Sequence, residues 1–303
     1  MKILFLSHHF YPHVGGVEKH VQLLAKELAK KGHKITILTE KYVVDLKSRE
    51  IVDGIKVERF SYPKIKLIGL FSIWFWLFKN RDLIEKNNII HIHDVFIWYL
   101  PFRFLYPRKP VYTIIHGLEW DNLLSKRSIF QKRLAVMLSK GTIGVGKYLE
   151  KYLGVNFSEI TYGAATPIKN VDAKEKGRVV YVGRLDENTG LEKFLKTLDK
   201  KRRNKIDFCG EGRLRSKCEK YGTVHGFTNP TPFYKKAEIC VPGGYLAALE
   251  GLSYGCRLKL FWADRVKRDS WKMSPFIKKN ASVWVKKQTW QNMAKLYERL
   301  WKI

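Results

Sequence analysis

Residues 1–40, MKILFLSHHFYPHVGGVEKHVQLLAKELAKKGHKITILTE, predict one complete strand, loop, helix and strand. Lys2–Ser7 is an apolar run with the length of a buried parallel strand. A loop containing Gly15 and Gly16 follows, and apolar residues then recur at helical spacing until Gly32. Glycines between a buried strand and a helix start let a ligand approach backbone N–H groups, where the helix dipole favours an anion. The stretch therefore predicts a site for a phosphorylated small molecule.

The chain is strongly basic, with 57 Lys and Arg against 28 Asp and Glu, a formal net charge of +29. Its 303 residues are enough for two domains, and a hydrophobic content of 45% excludes a disordered polymer. The charge indicates an anionic partner: a phosphorylated substrate, an anionic membrane surface or nucleic acid. A solvated lysine-rich surface explains it equally well. Four cysteines without metal or disulfide spacing, and a start without signal-peptide pattern, predict a cytoplasmic protein.

The longest apolar segment is LIGLFSIWFWLF at 67–78, with lysines before it and Lys79 and Arg81 after it. It is too short to cross a bilayer, which takes about 20 apolar residues. Two interpretations stay open: a core helix, or a helix in the membrane interface with its cations at the headgroups. The second predicts peripheral binding to the inner face of a membrane. The residues involved would be Leu67, Phe71, Trp74, Trp76 and the flanking Lys64, Lys66 and Lys79.

Strand-like runs alternate with helical stretches along the chain, which predicts an α/β fold with parallel sheets. We expect two doubly wound domains, 1–166 and 178–287, joined by a linker at 167–177 and followed by an amphipathic helix at 288–303. Such domains bind ligands in a cleft at the carboxyl ends of their strands. The oligomeric state is left open.

The second domain repeats the phosphate-binding pattern. Arg184 follows a buried strand and precedes a helix, where it is suited to clamp a diphosphate, or to pair with Asp186 or Glu187. Gly243–Gly244 again exposes backbone N–H groups at a helix start. Glu250 on that helix is either a hydrogen-bond acceptor for sugar hydroxyls or a solvated surface residue.

The order of these motifs resembles the family 4 retaining glycosyltransferases, which have the GT-B architecture. The opening unit, IIHIHD at 89–94, TIIHGLEW at 113–120 and IGVGKYLEKYLG at 143–154 carry the resemblance in the first half. In the second half it lies in VVYVGRLDENTG, IDFCGEG at 206–212, VHGF at 224–227 and GGYLAALEGLSYG. The resemblance implies two Rossmann-like domains facing across a cleft, an acceptor-side first domain, a nucleotide-sugar-binding second domain, and a C-terminal helix that crosses back to the first.

The resemblance also implies the reaction: transfer of a sugar, with retention of configuration, from a UDP-, GDP- or dTDP-linked donor to a lipid-linked or polysaccharide acceptor. It implies a hexosyltransferase-like enzyme of polysaccharide or glycolipid biosynthesis without metal or other cofactor. Catalytic roles are implied for His116, near the donor sugar, and Arg184, at the leaving diphosphate. Donor-binding roles are implied for Gly15, Gly16, Arg184, Gly243, Gly244, Tyr245, Leu246 and Glu250, with Gly210, Glu211 and His225 on the nucleotide side.

Two positions depart from the family pattern. Thr189 stands where the family has a Lys, and Pro242 stands where it has a second Glu. Losing one preorganised donor costs about 10²–10³ in rate, so we expect weakened activity. A non-catalytic nucleotide-sugar-binding relative stays an alternative. So does, less favoured, a nucleic-acid-binding protein that uses LDKKRRNK at 198–205. His8, His9 and His13 suggest no metal site, because the sequence shows no carboxylate cluster to complete one.

Overall fold

The computed structural model describes residues 1–118, 125–166, 168, 173–198 and 205–302. The chain forms two compact units. The first contains Met1–Val145, Leu149–Thr161 and Ala294–Ile303, and the second contains Gly146–Tyr148 and Tyr162–Met293. Residues 167 and 169–172 of the expected linker, the end of TIIHGLEW and most of LDKKRRNK lie outside the described residues. The domain limits drawn from the sequence stay predictions.

The first unit contains an eight-stranded sheet with strand order β3-β4-β2-β1-β5-β6-β7-β8. All neighbouring strands are parallel except β3 and β4. Since β2 lies on one side of β1 and β5 on the other, the order reverses between β1 and β5. The strands are β1 Lys2–Ser7, β2 Lys34–Glu40, β3 Arg49–Val52, β4 Ile55–Phe60, β5 Ile89–His93, β6 Val111–Ile115, β7 Gly141–Val145 and β8 Glu159–Thr161.

Six helices connect these strands. The opening helix buries the apolar stripe expected from its spacing, including Val21, Leu24 and Leu28. The helices are α1 Gly16–Lys30, α2 Lys66–Lys79, α3 Asp82–Glu85, α4 Phe96–Leu105, α5 Lys126–Leu138 and α6 Tyr148–Leu153. In the described part of the chain, no helix combines the length and the apolar character that a membrane span requires.

Helix α2 faces the protein on one side and is exposed on the other. The core interpretation therefore holds for the buried face, and the membrane interpretation of the exposed face stays a prediction. Trp74 and Trp76, expected on a membrane face, instead pack on the protein. The Trp74 indole Nε1 donates to the Ile97 carbonyl oxygen at 2.9 Å, and Trp76 stacks on Phe60 with ring centroids 4.8 Å apart. The side chains that are 52–64% exposed are Leu67, Ile68, Phe71, Phe75 and Phe78.

The second unit contains a five-stranded parallel sheet with strand order β11-β10-β9-β12-β13. Here the order reverses between β9 and β12. The strands are β9 Glu175–Val182, β10 Ile206–Cys209, β11 Thr223–Val224, β12 Ala237–Pro242 and β13 Arg257–Leu258. The helices are α7 Leu191–Leu195, α8 Arg215–Cys218, α9 Thr231–Lys236, α10 Tyr245–Ser253, α11 Arg265–Lys272 and α12 Ala281–Val285. All four cysteines are buried free thiols.

The chain ends in helix α13, Trp290–Lys302, whose residues from Ala294 onward group with the first unit. Its buried face includes Tyr297, Leu300 and Trp301. The Tyr112 hydroxyl donates to the Trp301 carbonyl oxygen at 3.1 Å. The predicted fold class is therefore confirmed: an α/β protein with two Rossmann-like sheets and a C-terminal helix that returns to the first unit.

Candidate functional site

Three glycines pack the carboxyl ends of β9, β10 and β12 closely together. The Gly183 N–H donates to the Cys209 carbonyl oxygen at 3.1 Å, and the Gly243 N–H donates to the Val182 carbonyl oxygen at 2.8 Å. A Cβ on Gly210 would lie 1.9 Å from the Gly183 oxygen, and one on Gly183 would lie 2.8 Å from the Gly243 Cα. This edge is where the strand order reverses, which is where open α/β sheets bind ligands.

Arg184 follows directly after this glycine edge, with a side chain that is 42% exposed. Its Nη1 lies 3.6 Å from the Asp186 carboxylate, and its Nη2 donates to Asn188 Oδ1 at 3.3 Å. Such exposed, long contacts contribute little stability. The guanidinium is therefore accessible at the site, and these two contacts with its own loop hold it only weakly.

Thr189 is 3% exposed and its hydroxyl is used inside the second unit. It donates to the Asp186 carbonyl oxygen at 2.6 Å and lies 3.0 Å from the Tyr181 hydroxyl. Burial raises the pKa of Tyr181, so that hydroxyl stays protonated. The position of the family's Lys thus holds a buried hydroxyl that fixes a turn. Pro242, at the other departure, is the buried last residue of β12 and pairs in register with Val182.

Helix α10 begins beside the glycine edge, and Gly244 is its N-cap residue in extended conformation. The Tyr245 hydroxyl donates to the Ser270 carbonyl oxygen at 2.7 Å, so this hydroxyl is already bonded within the second unit. Leu246 is partly buried on the first turn. Further along the helix, the Tyr234 hydroxyl donates to Glu250 Oε2 at 3.5 Å, at the limit of a hydrogen bond.

Lys267 of α11 also reaches this edge, although nothing in the sequence indicated it. Its Nζ donates to the Gly243 carbonyl oxygen at 2.8 Å and lies 5.1 Å from the centre of the Trp271 ring. Burial, followed by the nearby charge of Arg184, lowers the pKa of Lys267 to about 8, while Asp264 acts in the opposite direction. The second unit therefore brings a second cation to the Gly243 loop.

The three residues expected on the nucleotide side lie along the β10 side of the sheet. Gly210 belongs to the glycine edge and bridges to Gly226. Glu211 pairs with Arg215 one helical turn away. The His225 Nε2 lies 2.9 Å from Asp207 Oδ1, so its ring is already held by a carboxylate.

In the first unit, Gly15 is the N-cap residue of α1, and a Cβ on Gly16 would meet no atom within 4 Å. The Glu18 carboxylate lies directly over Gly15, where an added Cβ would be 2.1 Å from Glu18 Oε2. His13 Nδ1 lies 2.9 Å from the other oxygen of that carboxylate. A side-chain carboxylate therefore occupies the helix N-terminus where the glycine pair had suggested a phosphate.

His116 follows β6, and the sequence reasoning missed its neighbour Asp94. The His116 N–H donates to Asp94 Oδ1 at 3.0 Å, and its Nε2 lies 3.1 Å from His93 Nδ1. Burial, with a smaller effect of Lys132, lowers the pKa of His116 to about 3. The imidazole is therefore neutral at pH 7 and acts as a hydrogen-bonding group rather than a cation.

The structure brings a carboxylate to the first histidines, which the sequence had not indicated. Ligand atoms of His8, His9 and Glu40 lie within 4.8 Å of one another. The Glu40 carboxylate, however, pairs with Lys64 and accepts from the Tyr62 hydroxyl at 3.0 Å. A divalent cation would have to displace the Lys64 ammonium, so a metal-free protein stays the prediction.

Residues 14–157 match the model of glycosyltransferase family 4. An uncharacterized glycosyltransferase of Methanocaldococcus jannaschii is 26% identical over 311 aligned positions, which cover 84% of this chain and 79% of that protein. The chain also matches one component of the human phosphatidylinositol N-acetylglucosaminyltransferase, with 34% identity over 100 residues, which are 31% of this chain. That match spans 20% of the length of the human protein.

Two solved structures resemble the whole chain. Sucrose-phosphate synthase from Thermosynechococcus elongatus has a TM-score of 0.75 at 13% identity, covering 99% of this chain and 98% of that one. The Anabaena protein HepE in complex with UDP has a TM-score of 0.64 at 14% identity, covering 100% of both chains. At this identity the likeness shows the fold. Fold and family match together define a glycosyltransferase of the GT-B type. Apart from Gly146–Tyr148, the family match lies within the first unit, so the roles of the second unit are argued from its own residues.

Proposed function

We propose that the protein transfers a hexose-like sugar from a nucleotide-diphosphate sugar to a lipid-linked or polymeric acceptor, with retention of configuration and without a metal. The observation that carries the proposal is the carboxyl edge of the second sheet, where Gly183 and Gly243 pack backbone to backbone. Arg184 and the start of α10 adjoin this edge. The arrangement offers an anion both a cation and the backbone N–H groups at the start of α10.

The chemistry follows from where charge develops. As the bond between the sugar and the diphosphate breaks, negative charge grows on the departing phosphate and oxocarbenium character grows on the sugar. Arg184 and the N–H groups at Gly244 and Tyr245 stabilise the first of these charges. His116, neutral at pH 7, serves as a hydrogen-bonding partner for the sugar. Fixed groups of this kind need no reorganisation at the moment of reaction, which is why they lower the barrier.

The related proteins support UDP as the first nucleotide to test, because HepE was solved in complex with UDP. They also support a lipid acceptor, because the human relative is named for transfer to phosphatidylinositol. The whole activity of that relative is not carried over, since the match spans 20% of its length. Glu250 on α10 is proposed to hold the ribose hydroxyls.

A lipid acceptor requires contact with a membrane, and α2 is proposed to provide it. The exposed face of α2 carries three aromatic rings, those of Phe71, Phe75 and Phe78. Cations accompany them: Lys79 Nζ lies 4.5 Å from the centre of the Phe75 ring, and Arg81 Cζ lies 5.7 Å from that of Phe78. An apolar face bordered by cations fits an anionic bilayer surface, where apolar groups enter the interface and cations meet headgroups.

The donor site is tested by melting temperature with UDP-, GDP- and dTDP-sugars. A ligand present at 100 times its Kd stabilises the folded protein by about 2.7 kcal/mol. We expect one donor to raise the Tm of the wild type, and Arg184→Ala to abolish that rise. The control is Arg257→Ala, which removes an arginine with a side chain 74% exposed from the same sheet and should keep the shift. An unchanged Tm with all three groups of donors contradicts the proposal.

A further inference from the structure

We propose that Lys267 binds the diphosphate of the donor, supplying from α11 the cation that the Thr189 position does not provide. The inference rests on the proposed function, because it assigns an additional residue to the same donor site. It concerns the second unit alone.

The geometry brings Lys267 to the loop that would cradle the phosphates. Its Nζ lies 2.8 Å from the carbonyl oxygen of Gly243, the residue that packs against Gly183 and precedes the N-cap of α10. A diphosphate at the N-terminal amides of α10 would therefore lie within reach of both Lys267 and Arg184.

The lysine is positioned in advance. Its Nζ lies over the ring of Trp271, 5.1 Å from the ring centre. Trp271 is 1% exposed, and its indole donates to the Phe261 carbonyl oxygen at 3.1 Å. At the start of α11, the Lys267 N–H donates to the N-cap carboxylate of Asp264 at 2.8 Å. A side chain fixed in this way loses little entropy when it binds a ligand.

The electrostatics point to an anion at this place. Two cations, Arg184 and Lys267, are close enough for the first to lower the pKa of the second. The same shift shows that burial disfavours the Lys267 charge, and Asp264 offsets it only in part. An anion bound between Arg184 and Lys267 would offset both their mutual repulsion and the cost of burying the Lys267 charge. Groups with pKa values perturbed in this way cluster at binding sites.

Thr189 explains why the cation comes from elsewhere. The Thr189 side chain points into the unit, with its hydroxyl on the Asp186 carbonyl oxygen and beside the Tyr181 hydroxyl. A lysine there would have to replace a buried hydroxyl and leave its partners unsatisfied. A cation entering from α11 reaches the Gly243 loop without disturbing that turn.

The test compares diphosphates with uncharged nucleosides. UDP, GDP and dTDP are titrated into the wild type by calorimetry, and uridine, guanosine and thymidine are followed by ligand-observed NMR. The variants are Lys267→Met, which keeps an apolar side chain of similar length, and Lys267→Arg, which keeps the charge. The matched control is Lys272→Met, which removes an exposed cation from the same helix.

We expect Lys267→Met to weaken the bound diphosphate about 10- to 100-fold and leave its nucleoside unaffected, because a charge-assisted contact is lost. Lys267→Arg should restore most of the affinity, and Lys272→Met should match the wild type. Unchanged diphosphate affinity in Lys267→Met overturns the inference. So does equal weakening of diphosphate and nucleoside, which would mean that Lys267 only shapes the loop. A wild type that binds none of the three diphosphates refutes the proposed function itself.

Discussion

Thr189 illustrates how one residue decides whether a family motif can be carried over. The residue is buried at 3% exposure and closes a turn through the Asp186 carbonyl oxygen. By comparison with the family pattern, position 189 lacks the expected Lys. In the structure, a cation there would be buried beside the Tyr181 hydroxyl, and a cation reaches the Gly243 loop from Lys267 instead.

We predict that restoring the family residue does not restore the family's interaction. Thr189→Lys should lower the free energy of unfolding by about 1–3 kcal/mol, because it breaks a buried hydrogen bond and buries a charge. Urea denaturation measures this change, and Thr189→Ser, which keeps the hydroxyl, should cost less. A Thr189→Lys variant that is as stable as the wild type and binds UDP more tightly would contradict this account of the turn.

At the residue scale, the sequence predicted that Arg184 follows a buried strand, and the pairing with Asp186 was one of the two interpretations of that arginine. The sequence could not predict Lys267 or Glu18. Lys267 reaches Gly243 through a tertiary contact that leaves no local pattern. The glycine pair at 15–16 did predict a helix start, but not that Glu18 would cover it. The functional roles of the predicted site residues stay predictions.

At the scale of elements, helix α2 has a testable role in membrane binding. Phe71 is 62% exposed and Phe75 is 60% exposed. We predict that the double variant Phe71→Ser, Phe75→Ser binds vesicles containing phosphatidylglycerol at least tenfold more weakly, because burying each Phe is worth about 1.5–3 kcal/mol. Vesicle cosedimentation measures the loss.

The control for α2 is Val44→Ser, which changes an apolar residue that is 87% exposed elsewhere in the first unit. Its vesicle binding should equal that of the wild type, and the melting temperature of all three proteins should agree because the changed residues are exposed. If the wild type binds phosphatidylglycerol vesicles as weakly as pure phosphatidylcholine vesicles, the proposed contact between its cations and anionic headgroups is wrong. Full vesicle binding by the double variant would show that the exposed face of α2 does not bind the membrane.

The elements that the sequence predicted are those with strong periodicity, such as β1, α1 and β2. Among the elements that were not predicted, two have identifiable reasons. Helix α4 contains Pro101 in its interior, which lowers any helix expectation. Strand β3 has four residues and pairs antiparallel at the edge of the sheet, so it has little pattern to detect. Helix α2 covers the apolar segment 67–78 and ends at Lys79, before a separate α3.

At the scale of the whole molecule, buried histidines set a pH dependence of stability. His20, His91 and His93 are at most 4% exposed, and burial lowers the pKa of each well below the usual value. Two of them contact α13: His20 Nε2 lies 3.0 Å from the Tyr297 hydroxyl, and Trp301 Nε1 donates to His91 Nδ1 at 3.1 Å.

Since the unfolded chain takes up these protons near pH 6.5 and the folded chain does not, we predict that stability falls as the pH drops below about 6.5. Each histidine that stays neutral costs about 2 kcal/mol at pH 5. Urea denaturation at pH 7.5, 6 and 5 measures the slope. His91→Phe keeps a ring in place and should flatten it. Equal stability of the wild type at pH 7.5 and 5 would contradict a neutral buried cluster.

The alternation of strand-like and helical stretches predicted an α/β fold with two doubly wound domains, and the order of the motifs carried the resemblance that implied the GT-B architecture. The sequence could not specify the sugar, the base or the acceptor. Those depend on side chains that different elements bring together, as α11 brings Lys267 to the Gly243 loop.

The most direct test of the central claim is mass-spectrometric detection of donor turnover. UDP-, GDP- and dTDP-sugars are incubated with the wild type and Arg184→Ala, in the presence of EDTA, with and without membranes as a source of acceptor. We predict that the wild type consumes one donor, releases its nucleoside diphosphate and adds the sugar's mass to a membrane component, and that Arg184→Ala does not. If the wild type binds and consumes none of the donors, or consumes one only when EDTA is left out, the proposed metal-free transfer is wrong.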